Sequence, residues 1–192
     1  MTNHHSPHEC AFACAVPLTP DRFRAASRET DYARRFKSLV TPLSKLEIAQ
    51  ALAAAGSLGA RMVYDSNLED FLDALITHRA VTLMAHHVEE EGKVEFADVS
   101  ISNADLADAV VERLTIDDDI TLHFNVCRYA PLAEEIKRAR PRIRWIANSG
   151  PLRVESSLLR YCDAIALLAR DRISYSDAYR EVSLSWMKRL VP

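Results

Sequence analysis

Glycine is what this chain has least of: 4 residues in 192, against a usual share of about 7%. No glycine-rich phosphate loop can be drawn, and neither GxGxxG nor GxxxxGK[ST] occurs. Cysteine is sparse as well. Cys10, Cys14, Cys127 and Cys162 are too few and too scattered for a disulfide framework, which points to reduced thiols and a cytoplasmic setting. No stretch approaches the ~18 apolar residues that span a bilayer. The opening MTNHHSPHEC lacks the basic flank and apolar run of a secretory signal. Nor is there an excess of positive charge. With 24 Lys and Arg against 27 Asp and Glu, the net charge is -3, which argues against a nucleic-acid binder.

What remains is an ordinary globular mixture, 48% hydrophobic and 27% charged. One domain of this length buries roughly 70% of its unfolded surface, so no staple is needed. The sequence predicts a single domain over 1–192, with residues 1–10 loose. AFACAVPL (11–18) is a candidate buried strand, closed by Pro17 and Pro20. Residues 21–58 read as helical, with Ser44 and Glu47 forming a capping box for the second helix. ARMVYD (60–65) follows as a strand. Asn67 then caps LEDFLDALITHR, whose Leu68, Phe71, Leu72, Leu75 and Ile76 share one face. AVTLMAHH (80–87) reads as a buried parallel strand. GKVEFADVSIS (92–102) alternates like a hairpin, and Asn103 caps the helix ADLADAVVERL. A strand over 117–127, a helix opened by Pro131, a strand IRWIANSG and two closing helices complete the pattern. Strands alternating with helices imply an α/β sandwich with a mostly parallel sheet.

Sheets of that kind bind and react at the carboxyl ends of their strands. One candidate strand ends at His86-His87 and another at Cys127. If the two are parallel neighbours, an imidazole and a thiol emerge at one edge. A thiol of ordinary pKa near 8.5 must become a thiolate to attack. A neighbouring histidine takes that proton and returns it to the leaving amine. The intervening sequence is long enough for a hairpin, a helix and a strand.

The order strand-His, hairpin, helix, strand-Cys, with AHH at 85–87 and NVCRY at 125–129, resembles the caspase-like (clan CD) cysteine peptidases, in particular the bacterial CHAT-type branch. The caspase signature is Q-A-C-[RQG]-G, with its histidine about 50 residues upstream. The likeness covers roughly residues 60–180. Two letters depart from the family pattern, since His87 and Tyr129 stand where glycines are usual. The resemblance implies a caspase-like three-layer sandwich with Cys127 as nucleophile and His86 as general base, His87 being the alternative base. It also implies an oxyanion hole from the backbone N–H groups of His87 and Cys127. Arg128 and Arg153 would suit an acidic substrate side chain, whereas Asp98 and Glu89–Glu91 would suit a basic one. The implied activity is bacterial, cytoplasmic peptide-bond hydrolysis on a protein substrate, in regulation or defence. It needs an activating or sensor partner and no metal or organic cofactor.

Blander assignments stand beside these. Free cysteine is among the most buried residue types, and Cys162 lies on the apolar face of its helix. His123 falls mid-strand and reads as structural. His4, His5, His8, Cys10 and Cys14 are zinc-type ligands, but their spacing matches no zinc pattern. Two further readings of the whole are a catalytically silent caspase-like scaffold and a flavodoxin-like binding domain, the latter opposed by the shortage of glycine.

Overall fold

The computed structural model describes residues 4–16, 18, 46–116, 118–126, 130–147 and 154–190. The first helix expected over 21–40 and the cap at Ser44 lie outside them. In chain order the elements are β1 (Cys10–Cys14), α1 (Leu46–Ser57), β2 (Arg61–Tyr64), α2 (Leu68–Thr77), β3 (Ala80–Met84) and β4 (His86–Val88). They continue with β5 (Lys93–Glu95), β6 (Ser100–Ser102), α3 (Asn103–Arg113), β7 (Thr121–Asn125), α4 (Ala130–Ala139), β8 (Arg144–Ala147), α5 (Val154–Arg170) and α6 (Tyr175–Leu190).

Five of the strands form one sheet in the order β2-β1-β3-β7-β8, and every pair in it is parallel. The three inner strands are buried at every position, as their near-continuous apolar runs require when both faces are covered. Alternation then divides their side chains between two cores. Ala11, Ala13, Val81, Leu83, Leu122 and Phe124 pack against Phe71, Leu75, Leu106, Val110 and Ile136 of α2, α3 and α4. Cys10, Phe12, Cys14, Ala80 and Met84 pack against Ile48, Leu52, Leu158, Tyr161, Ile165 and Tyr175 of α1, α5 and α6. The expected three-layer α/β sandwich is therefore what the chain forms, with α2, α3 and α4 on one face and α1, α5 and α6 on the other.

Two local features differ from the sequence-based expectation. The first residues described are not a loose arm. Pro7–Glu9 makes a single 3-10 turn, and the buried His5 is held by its neighbours. Its Nδ1 accepts from the Tyr175 backbone N–H at 2.9 Å, and its own N–H donates to Ile173 O at 3.0 Å. A polar segment is retained here because its polar groups find partners. The second difference is at residues 80–88. β3 ends at Met84, and His86–Val88 belongs to a separate three-stranded antiparallel sheet, β4-β5-β6. The expected hairpin over 92–102 supplies its other two strands.

Candidate active site at the carboxyl ends of β3 and β7

β3 and β7 are neighbours, paired from Ala80↔Thr121 to Met84↔Asn125. After Met84 the chain passes through the buried Ala85 and enters β4. After Asn125 it passes through the buried Val126. Cys127 and Arg128, the proposed nucleophile and one proposed substrate contact, lie outside the described residues, as does Arg153. The order of the parallel sheet reverses between β1 and β3, because the chain runs from β1 out to β2 and back past β1 to β3. In open α/β sheets ligands bind at the carboxyl ends beside such a reversal, and His86 follows β3 at that end.

The small sheet sets the two histidines apart. Successive side chains of a strand point to opposite faces, so the half-buried His86 and His87 cannot share one. β4 pairs with β5 as His86↔Glu95, His87↔Val94 and Val88↔Lys93, and β5 pairs with β6 as Glu95↔Ser100 and Val94↔Ile101. His87 therefore shares a face with Val94, which is fully buried, and with Ile101, which packs on the α2–α3–α4 core. Its Nε2 lies 3.3 Å from Asn103 Nδ2, the amide donating. A ring nitrogen that accepts from an amide is not open to take a proton from a thiol as well. The bond exists because the helix start is one residue earlier than the sequence suggests. Ser102, not Asn103, caps α3, its Oγ accepting from Asp105 N at 3.1 Å. The Asn103 side chain is thereby released toward His87. Sequence reasoning missed this partner, since Ser-Asn offers two equally good capping residues.

Asp98, expected beside a substrate, is exposed in the turn between β5 and β6. Its Oδ1 accepts from Leu68 N at 3.1 Å. It thus satisfies one of the free N–H groups at the start of α2, where a negative charge also suits the helix dipole. Glu89–Glu91 form a 3-10 turn closed by Gly92 at φ 60, a left-handed conformation that glycine adopts without steric cost. Glu91 pairs with Lys93 at 3.3 Å.

The other three thiols are chemically quiet. Cys10, Cys14 and Cys162 are buried, and burial pushes each of their thiols up to about 12. The thiolate is the reactive form, so none of the three is available near neutrality. His123 is equally withdrawn. It lies fully buried in β7, its Nδ1 2.9 Å from the Tyr175 hydroxyl, which in turn sits 2.8 Å from Thr82 Oγ1. Its ring centroid is 4.2 Å from that of Tyr179. Burial, aided by the Arg160 charge, pushes its imidazole down to about 3, so it is neutral and structural. Among the described residues, no three His, Cys, Asp or Glu side chains gather in a way that could hold a metal ion. His5, Cys10 and Cys14 are individually buried in the protein. Nor, among the described residues, is any helix long and apolar enough to cross a membrane.

Comparison with known proteins finds no matching family model, no matching curated protein and no matching solved structure.

Proposed function

We propose that this chain is a cysteine peptidase of the caspase-like kind, with Cys127 as nucleophile and His86 as general base. The observation that carries the proposal is the pairing of β3 with β7. The last paired residues are Met84 and Asn125, and in the sequence His86 and Cys127 each follow two positions later. The order of elements agrees with it, since a small antiparallel sheet and a helix separate the two strands. Asn103 engages His87, which favours His86 over its neighbour as the base.

In the proposed reaction His86 accepts the Cys127 proton, and the thiolate attacks a substrate peptide carbonyl. The C–N bond breaks as the imidazolium returns the proton to the leaving amine, leaving a thioester on Cys127. Water then adds to the thioester with His86 again as base, freeing the acid and the thiol. The backbone N–H groups of His87 and Cys127 are the proposed oxyanion donors, and Arg128 and Asp98 the proposed contacts to substrate side chains. The substrate is a protein. The setting is a bacterial cytoplasm, in regulation or defence, with an activating partner.

The competing reading is a silent caspase-like scaffold, and the substitution of histidine and tyrosine for the usual glycines at 87 and 129 favours it. A flavodoxin-like binding domain shares the strand order seen here. It would bind phosphate just beyond β1, where this chain has AVPLTP with Ala15, Val16 and Leu18 buried. Such a segment offers no glycine cradle.

The test is the alkylation rate of the native protein against pH, in wild type and His86→Ala. Three of the four thiols are silenced by burial, so a thiol that reacts near neutrality is Cys127. Rapid alkylation below pH 7 that slows at least tenfold in His86→Ala, with peptide turnover lost in Cys127→Ala, is the expected result. A thiol indifferent to His86, in a protein whose biological effect survives Cys127→Ala, establishes the scaffold instead.

A further inference from the structure

The register of the small sheet assigns a role to a residue that the sequence did not single out. β4 and β5 pair so that Glu95 lies directly opposite His86. Residues opposite one another on an antiparallel pair project to the same face, with Cβ atoms about 4.5–5.5 Å apart.

That register is held from several sides. Val94 is fully buried and Phe96 nearly so, and a slip of one residue would turn both out and bring Glu95 inward. The hairpin is closed by the left-handed Gly92, whose carbonyl accepts from Asn103 N at 2.9 Å. At the other end Phe96 N donates to Val99 O at 2.8 Å. Glu95 is thus constrained to the face that carries His86. Its position is only half exposed, and Oε2 is shielded from solvent. A carboxylate in such surroundings interacts more strongly than one in open water.

Among the described residues, no second acidic group stands opposite His86 on the small sheet. Lys93 lies one pair further along β5, and its Nζ is engaged by Glu91. The β6 residues facing Lys93 and Glu95 are the uncharged Ser102 and Ser100. Ala85 and Val126, which continue β3 and β7, are apolar. Glu89 and Glu90 lie in the exposed turn beyond Val88.

We propose that Glu95 is the positioning residue of His86: its carboxylate, set opposite the imidazole by the β4–β5 register, orients the ring and stabilises its protonated form. A base oriented by a third group is the general pattern of nucleophile–base pairs. Glu95 itself touches no reacting atom. Its purpose rests on the peptidase reading, but its geometry does not.

The experiment is an NMR titration of the His86 ring in the full-length protein, comparing wild type, Glu95→Gln and Glu95→Asp. Glutamine keeps the shape and removes the charge. We expect the His86 midpoint to fall by about one pH unit in Glu95→Gln, and by less in Glu95→Asp. Should the glutamine variant not fold, the aspartate variant still carries the test, because its shorter arm must lower the midpoint measurably. A midpoint unchanged in both variants overturns the assignment. The titration needs no catalysis. A shifted midpoint in a protein that never cleaves a peptide leaves the Glu95–His86 pairing standing without the peptidase. Turnover with an unshifted midpoint does the reverse.

Discussion

The His123 imidazole is bonded to Tyr175, packed at a tilt against the Tyr179 ring and fully buried, and these surroundings make its proton affinity a property of the fold. Burial holds it down to about 3, against 6.5 for the free side chain. Between those values the unfolded chain binds a proton that the folded chain refuses. Stability is therefore intact above pH 6.5 and falls as the pH drops through that window, by up to about 1.4 kcal/mol per unit. The buried His5 is shifted in the same direction, chiefly by desolvation, and adds to the slope. Urea denaturation from pH 7 to 4.5 measures it. His123→Phe keeps the ring against Tyr179 and should flatten the acid slope by about one proton's share. A slope unchanged in that variant would mean that another group carries the acid sensitivity.

Among the elements, α2 shows how a helix start can be read twice. Asn67 Oδ1 accepts from Asp70 N at 2.7 Å, and Asp70 Oδ2 accepts from Asn67 N at 3.1 Å. This is a reciprocal capping box. Asp98 adds a third acceptor from across the chain, at Leu68 N. Asn67→Ala should cost about 1 kcal/mol of stability. Asp98→Ala should cost a similar amount through Leu68, readable as a lowered urea midpoint with an unchanged slope. If Asp98 also meets substrate, its loss changes KM beyond what Asn67→Ala does. Equal KM values in the two variants would leave Asp98 a purely structural cap.

On the scale of the whole molecule, Tyr175 joins parts of the chain that are far apart in sequence. Its hydroxyl links β3 to β7 through Thr82 and His123, and its backbone N–H holds His5. Its ring lies in the core beneath α6, 5.9 Å from that of His123. Tyr175→Phe keeps the packing and strands buried polar atoms on both strands. We expect a loss of about 1–3 kcal/mol in equilibrium unfolding, without a change of fold by circular dichroism. A loss below about 0.5 kcal/mol would show that Thr82 and His123, already 3.4 Å apart, close the gap between them.

Several features of this protein were set by local pattern alone. Buried parallel strands announce themselves as short apolar runs, and AVTLM and TLHFN did so. α2 and α5 show their apolar faces at helical spacing, and the shortage of glycine closed off phosphate loops before any fold was considered. Sequence also set His86 and Cys127 at corresponding distances beyond two such runs. Other features arise only when remote segments meet. The sheet order, the division of alternate side chains between two cores and the burial of His5 depend on long-range contacts. So do the transfer of His86 from the end of β3 to the start of β4, the cap at Ser102 that frees Asn103 for His87, and the placing of Glu95 opposite His86. Hydrophobic period is written into neighbouring residues. Register and cross-strand partners are chosen by what must be buried elsewhere, here Val94 and Phe96, and no local pattern carries that choice.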